Sequence, residues 1–436
     1  MKQIVLNELI DSQPIGSYQK IIIALCMGLM ILDGYDIQAM AYAAPLLMEH
    51  WHVDKAMLGV VFSAALGGLF VGSLLLSNLS DRFGRRPILL LSTLAFSILM
   101  LLTPSVTSIE QLAAMRFITG VFLGGIMPNA MAYCSDIVPS KNRVFVMIMI
   151  SAGFTLGAML GGFIASWLKP YGWSAIFYFG GIMPLILTAF MFIFLPESQK
   201  FLVNYVGNDN KILASLRKFY PNYAFDNDVK IVTNEEKVAK PSPLELFRHN
   251  RAFFTITIWI ISILNLISLY FLSSWLPTLG KEAGLTTTQA LMVGSVLQFG
   301  GLIGSLAMGS YINKLGFYKV LIPVFILAIV SVGLIGFSTG SLALLYLVVF
   351  LAGFTVVGGQ PTINALSANH YPVLLRTTGV GWSIGMGRLG SMIGPILGGV
   401  LSKSMGLSSL FLVATVPSVL IIIMLFIQSS QRKRAQ

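Results

Sequence analysis

Four charged residues interrupt otherwise apolar stretches of the sequence. Asp33 and Asp36 lie in the first stretch, Arg116 in the fourth and Arg388 in the eleventh. Near the centre of a bilayer such a side chain costs about 2.5–3.5 kcal/mol, so it usually faces protein or a water-filled cavity and serves a function. A carboxylate can bind and release a proton, and a guanidinium can bind a carboxylate through two hydrogen bonds. The four residues therefore predict a site for protons and for an organic anion.

Helix geometry places these charges at similar depths. Asp33 follows Lys20 by 13 residues, which is about 20 Å along a helix that rises 1.5 Å per residue. Arg116 lies about 9 Å from the opposite end of its stretch and Arg388 about 18 Å into its own. In a hydrocarbon core about 30 Å thick, Asp33 and Arg116 come to the same level. We expect Arg116 to pair with Asp33, with Asp36 as a second candidate partner, and both carboxylates to face one cavity.

Each charge has a functional interpretation and a structural alternative. Two adjacent acids disfavour double ionisation, so Asp33 or Asp36 is expected to bind and release a proton, with Arg116 as their partner. The alternative is a permanent salt bridge, and Asp36 alone can also extend to the outer surface. Arg388 has three glycines beside it and no acid in the apolar stretches of its half of the chain. It is predicted to bind a substrate carboxylate, the alternative being a pair with Asp33 or Asp36.

Weaker candidates for the substrate site are neutral polar and aromatic residues in apolar stretches. With Arg388 and Arg116, we assign to it Asn265, Gln298, Tyr270 and Trp382. For Asn265 and Gln298, as for the further amides Gln360 and Asn364, the alternative is a hydrogen bond between helices. Aromatic side chains can stack on a ring-shaped substrate, but packing and interface anchoring are common alternatives.

The composition identifies the environment of these charges. Of the 436 residues, 56% are hydrophobic and only 10% are charged, against about 25% charged in an ordinary soluble domain. This excludes a soluble enzyme, a disordered chain and a disulfide scaffold. A bilayer-spanning helix needs about 20 apolar residues. Twelve stretches qualify and predict an all-α membrane protein: 19–42, 57–78, 87–104, 110–134, 144–168, 173–195, 252–279, 288–312, 318–337, 341–368, 374–401 and 406–428.

Charge placement predicts the topology. If both termini are cytoplasmic, 22 of the 28 Lys and Arg residues fall on the cytoplasmic side, four outside and two within spans. That bias is the one expected for the cytoplasmic loops of membrane proteins. The net charge of +11 therefore reflects topology, and we expect no nucleic-acid partner. The polar stretch 196–251, too short for a large core of its own, is predicted to be a cytoplasmic linker between a six-helix half (1–195) and a second half with a short basic tail (252–436).

The two halves repeat each other. A shift of 232 residues superimposes Gly72 and Gly84 on Gly304 and Gly316, and a shift of 233 superimposes the segment 120–143 on 353–376. A parallel repeat of this kind predicts two halves related by an axis along the membrane normal, with a binding cavity between them. Such halves alternate access by rocking against each other.

Several motifs resemble those of a known family. SNLSDRFGRRP (77–87) resembles the loop after the second span of the major facilitator superfamily, and PESQKFL (196–202) the motif that closes its sixth span. LDGYDIQAMAYAAPLL (32–47), with GMGRLG (385–390), is similar to the aromatic acid:proton symporter family. The resemblance implies the major facilitator fold, import of benzoate-like and hydroxybenzoate-like acids, and roles for both acids of DGYD and for Arg116. The second copy of the loop, NKLGFYK (313–319), lacks the usual acid.

The loop charges of the first half suggest a gate. Charge pairs among them are expected to hold the cytoplasmic side closed while the site opens outward, the alternative being ordinary solvated charges. The predicted gate residues are Asp81, Arg85, Arg86, Asp136, Arg143 and Glu197.

The sequence shows no nucleophile–base constellation, and its Cys and His residues follow no metal-binding pattern. We expect no enzymatic activity and no cofactor other than a proton gradient. The expected function is symport of protons with a small organic acid by a monomer in the inner membrane, and the family resemblance favours an aromatic carboxylate as that acid. Alternatives are transport of a linear diacid and export of cationic or apolar compounds.

Overall fold

The computed structural model describes residues 2–203, 209–221, 223, 225, 229–232, 242–248 and 251–435. Within this part of the chain, twelve helices are long and apolar enough to span a membrane, which confirms the predicted fold class. We number these spans in chain order: Ser17–Trp51, Lys55–Phe83, Arg85–Ser105, Ile109–Ile137, Ser140–Tyr171, Trp173–Phe194, Ala252–Glu282, Thr287–Leu315, Phe317–Ile335, Leu342–His370, Thr378–Ser404 and Leu407–Gln431. The helix of the eleventh span begins earlier, at Val373.

Two equivalent spans are irregular in the same place. The fourth span consists of the helices Ile109–Gly124 and Ile126–Ile137, which meet at Gly125. The tenth consists of Leu342–Ala352, a π-helical segment Gly353–Val357 and the helix Gly358–His370. Gly125 and Gly358 are 233 residues apart, the offset of the sequence repeat. A π-helical segment inside a longer helix is often found at a functional site.

Glycines let the spans of each half approach closely, and they do so equivalently. A Cβ atom at Gly72 would lie 1.8 Å from the carbonyl oxygen of Val121, and one at Gly304 would lie 2.1 Å from that of Phe354. Val121 and Phe354 are themselves 233 residues apart. The second span thus packs on the fourth as the eighth packs on the tenth. Small residues at such contacts are typical of membrane helices, where close packing drives association.

The segment between the halves packs against the first half. Its strand Val229–Val232 pairs in parallel with the N-terminal strand Lys2–Val5. Its amphipathic helix Asp209–Phe219 buries Phe219, whose ring meets that of Tyr18 edge-on with centroids 5.1 Å apart. Three further short elements lie outside the spans: the helices Leu6–Ser12 and Gln199–Phe201 and the 3-10 helix Pro243–Phe247.

The two halves are joined at one end of the bundle. We call the end at which the first span begins and the twelfth span ends the termini end, and the opposite end the far end. Among the described residues, every hydrogen bond or ion pair between the halves lies toward the far end. These contacts are Lys55–Glu282 (2.7 Å), Glu49–Lys281 (3.3 Å), Asp54–Lys403, Ser63 to the carbonyl of Met392 (2.6 Å) and Ser295 to the carbonyl of Met159 (2.6 Å).

Candidate functional site

A cavity of about 340 Å³ lies between the two halves. Its walls come from the first, second, fourth and fifth spans and from their repeat equivalents, the seventh, eighth, tenth and eleventh. Most of the wall is apolar, and one acid and one arginine face into it: Asp33 from the first half and Arg388 from the second. A chamber of this size accommodates a small organic molecule.

Asp33 and Arg388 face the same space without touching. Asp33 is 2% exposed, and its Oδ1 has no hydrogen-bond partner. Arg388 is half-buried, and no ion pair within 4.0 Å joins its side chain to any described residue. The predicted alternative, a direct pair between Arg388 and Asp33 or Asp36, is thus absent from the described contacts. A guanidinium in this position can bind a carboxylate that enters the cavity.

Arg116 pairs with Asp36, the second of its two predicted partners, and the predicted pair with Asp33 was wrong. Its two terminal nitrogens each lie 3.0 Å from a carboxylate oxygen of Asp36, and one of them donates to the Asp36 backbone carbonyl at 3.1 Å. Both side chains are at most 1% exposed. Three helical positions rotate a side chain by about 300°, so Asp36 points about 60° away from Asp33. That rotation turns Asp36 toward the fourth span while Asp33 faces the cavity. The prediction that both acids face the cavity was therefore also wrong.

Two of the predicted polar residues, Tyr270 and Gln298, line the cavity. Gln298 donates through Nε2 to the hydroxyl of Ser273 at 3.1 Å. Asn265 lies behind the wall. It is fully buried and donates to Gln360 Oε1 at 2.8 Å, so it orients an amide that does line the cavity.

The structure places Trp382 and Arg116 outside the cavity wall. The Trp382 ring is 42% exposed and stacks on Trp259, with centroids 5.7 Å apart. Six residues separate Trp382 from Arg388, so their side chains point about 120° apart on the helix. Arg116 is occupied by Asp36 as described. We therefore leave both residues out of the substrate site.

Several residues of the cavity wall were not assigned to the substrate site from the sequence. Gln38 and Thr155 line the cavity, as do Ser391 and the amides Gln360 and Asn364. The repeat contained one usable signal, since a shift of 233 places Thr155 at the position of Arg388. Gln38 had no such signal, because a lone amide in a span also fits a helix–helix hydrogen bond.

Four of the six predicted gate residues form one cluster at the termini end of the first half: Arg85, Arg86, Asp136 and Glu197. Arg85 pairs with Asp136, and it also donates to the carbonyl of Ala132 at 2.8 Å. Backbone N–H groups of Arg85 and Arg86 donate to Glu197 Oε1 at 3.0 and 3.2 Å. These contacts all lie within the first half and the segment that follows it.

Two other gate candidates lie apart from this cluster. Asp81 is exposed, with no hydrogen bond or ion pair to another described residue. The charge of Arg143 lies near the carboxyl group of Asp11, which precedes the first span. The hydrogen bond from the Ser140 backbone N–H, aided by the nearby charges of Arg143 and Lys200, lowers the pKa of the Asp11 carboxyl. Whether the cluster opens and closes a gate stays a prediction.

Comparison with known proteins agrees with the fold. A family model described as Major Facilitator Superfamily matches residues 26–372 and 258–436. A 4-hydroxybenzoate transporter of Acinetobacter baylyi is 35% identical over 425 residues, covering 95% of this chain and 93% of the relative. A gallate transporter of Pseudomonas putida is 33% identical, covering 94% and 91%. The benzoate transport protein of Acinetobacter baylyi is 32% identical, covering 99% and 94%.

Solved structures with little sequence similarity have the same fold. A D-xylose–proton symporter superimposes with a TM-score of 0.72 at 17% identity, covering 94% of this chain and 97% of that one. A bacterial homologue of the lysosomal transporter Spinster, in an inward-facing and occupied conformation, superimposes with a TM-score of 0.76 at 14% identity, covering 95% and 97%. The chain belongs to the major facilitator superfamily. Its curated relatives place it with the aromatic acid:proton symporter family, as its motifs predicted.

Proposed function

We propose that this protein imports an aromatic carboxylate together with protons by alternating access. The observation that carries the proposal is a single cavity in which an acid of one half, Asp33, faces an arginine of the other half, Arg388, without an ion pair between them. The relatives named as benzoate, gallate and 4-hydroxybenzoate transporters support an aromatic acid as the substrate.

The two charges assign separate steps to the two halves. When Asp33 is ionised, its charge offsets that of Arg388 across the cavity and weakens the attraction for a substrate anion. A proton on Asp33 removes that competition, so a carboxylate can bind to Arg388. Loss of the proton on the other side restores the competing charge and favours release. Because Asp36 already neutralises Arg116, that pair is proposed to fix the first span rather than to carry the proton.

Proton coupling also supplies the free energy that uptake of an anion requires. An anion that enters a cell moves against an inside-negative potential, which costs about 2.3 kcal/mol per charge per 100 mV. Symport with more than one proton gives the complex a net positive charge and turns the same potential into a driving force. Asp33 supplies one such proton site in the cavity.

We assign the termini end to the cytoplasm of a bacterial inner membrane, because most basic residues lie there. In the described part of the chain the halves are bonded to each other toward the far end. With this orientation the structure represents a state closed to the outside. Opening to the outside then requires the far-end contacts to separate.

Uptake of labelled benzoate and 4-hydroxybenzoate into proteoliposomes tests the proposal. We expect an acidic outside to drive accumulation, and a protonophore to abolish it. Uptake that ignores the pH gradient would contradict proton coupling. Uptake of a linear diacid but of neither aromatic acid would contradict the substrate assignment.

Two variants test the division of roles. Arg388→Ala should weaken substrate binding, whereas Asp33→Asn should retain binding while losing gradient-driven accumulation. Arg376→Ala is the matched control, since Arg376 precedes Arg388 on the same helix and is exposed. Equal loss of binding and accumulation in both variants would show that the two residues do not have separate roles.

A further inference from the structure

Gln38 lies in the cavity wall and has a buried hydrogen-bond donor without a partner. Its side chain lines the cavity wall and is only 3% exposed. Its Nε2 atom has no hydrogen-bond partner, and among the wall residues only Asp33 shares that condition within the described chain. A buried amide donor without a partner is costly, so a native site usually provides one. A bound molecule with an oxygen atom at this position supplies it.

Gln298 lines the same cavity from the other half of the protein, at the same depth as Gln38. The first and eighth spans meet where Tyr42 contacts Gly294, since a Cβ atom there would lie 2.7 Å from the Tyr42 ring. Gln38 lies four residues before Tyr42, and Gln298 lies four residues after Gly294. Residues four apart share one face of a helix. Because the two spans run in opposite directions, both glutamines lie about 6 Å from that contact on its termini side.

The two amides offer complementary groups. Gln298 uses its Nε2 to donate to Ser273, so its carbonyl oxygen is left to accept a hydrogen bond. Gln38 offers an N–H. A hydroxyl group accepts one hydrogen bond and donates another, so it matches this pair, whereas a second carboxylate could use only the donor.

The distance along the first span relates this pair to the charged groups. Gln38 follows Asp33 by five residues, which places it about 7.5 Å farther toward the far end along the helix axis and about 140° around it. Both side chains nevertheless line the cavity, and this axial length is comparable to that of a benzene ring with an oxygen-bearing group at each end. With a carboxylate on Arg388 at the level of Asp33, a hydroxyl on the far side of the ring reaches the two glutamines.

We propose that Gln38 and Gln298 recognise a ring hydroxyl, so that the protein selects hydroxylated aromatic acids over unsubstituted ones. The proposal rests on the proposed function, because it assumes that Arg388 holds the carboxylate of an aromatic acid. It adds two specificity-determining residues from opposite halves. A ligand that bridges them also links the halves at the end where they are already in contact.

Uptake kinetics of the variant Gln38→Met test the proposal. Methionine has nearly the same length and shape and lacks the donor. The measurement is the ratio of the KM for 4-hydroxybenzoate to the KM for benzoate, in proteoliposomes with a fixed pH gradient. Loss of one hydrogen bond should raise this ratio roughly 5- to 20-fold, with the KM for benzoate unchanged or lower. Gln298→Met should raise the ratio in the same direction.

Gln360→Met is the matched control. Gln360 also lines the cavity, but its amide is already held by Asn265 and Asn364, so the variant should affect both acids by the same factor. An unchanged ratio in Gln38→Met and Gln298→Met, with uptake by the wild type intact, overturns the hydroxyl site and leaves the proposed function standing. A wild type that takes up neither acid overturns the proposed function instead. If Gln38→Met fails to assemble, the ratio in Gln298→Met decides.

Discussion

Replacing Asp36 by asparagine is expected to destabilise the protein far more than the same change at Asp33. Asp36 and Arg116 form a two-point pair at 3.0 Å, and neither side chain is more than 1% exposed. Removing one partner of such a pair leaves a buried charge without compensation, which costs about 3–5 kcal/mol. That loss corresponds to a change of roughly a hundred- to several-thousand-fold in the unfolding equilibrium constant.

The double variant separates the charge effect from simple packing. Asp36→Asn with Arg116→Met removes both charges, so it should be more stable than either single variant, as expected when two residues are energetically coupled. Asp33→Asn is the control, since Asp33 has no ion-pair partner within 4.0 Å among the described residues.

The assay is unfolding in mixed micelles by titration with SDS, followed by tryptophan fluorescence. Near-equal losses in Asp33→Asn and Asp36→Asn would refute the assignment of Arg116 to Asp36. A double variant as unstable as the worse single variant would show that the pair is not what stabilises this region. Transport assays on the same samples separate loss of stability from loss of coupling.

Other predictions follow from the far-end contacts and from the glycines. Lys55→Glu should shift the protein toward an outside-open state, and adding Glu282→Lys should reverse the shift. The measurement is the distance between spin labels placed across the termini end. If the charge swap does not restore the wild-type distances, this ion pair does not hold the far end closed. The hydrogen bond with Lys403 lowers the pKa of Asp54 from its ordinary 3.8. The Asp54–Lys403 pair therefore contributes fully to closure of the far end above pH 3.8 and loses this contribution as the pH falls below that value. Acidification at the far end should favour opening in the wild type but not in Lys403→Gln. Gly72→Ala should lower the free energy of unfolding by about 3 kcal/mol, because the new methyl group would collide with the Val121 carbonyl. Gly309→Ala should be neutral or stabilising, because its methyl group would meet nothing within 4 Å. Equal stabilities of the two variants would disagree with the close approach at Gly72.

The parts of the fold that could be predicted are those that leave a local or repeating pattern in the sequence. Twelve apolar stretches are visible in the sequence because a span must keep about 20 residues out of water, and the helices match them. The repeat also survives in residues such as Gly72 and Gly304, since each must admit a neighbouring backbone. The docking of the inter-half segment had no comparable signal, because a short amphipathic helix does not specify its partner.

The candidate site was predictable in its charges and only partly in its geometry. Asp33 and Arg388 were found because charge inside a span is costly, and both line the cavity. The partner of Arg116 was misassigned because depth along a helix was estimated without its rotation. Asp33 and Asp36 differ by only about 4.5 Å in depth, so depth could not discriminate between them.

The sequence alone determined that charged groups of both halves lie inside a twelve-span bundle, since burial cost and repeat offset are properties of the chain itself. Only the tertiary structure decided which acid meets Arg116, which residues face the cavity and which end holds the halves together. Those choices depend on the rotation of each helix about its axis and on contacts between residues more than 200 positions apart, such as Lys55 and Glu282. No local pattern encodes either quantity.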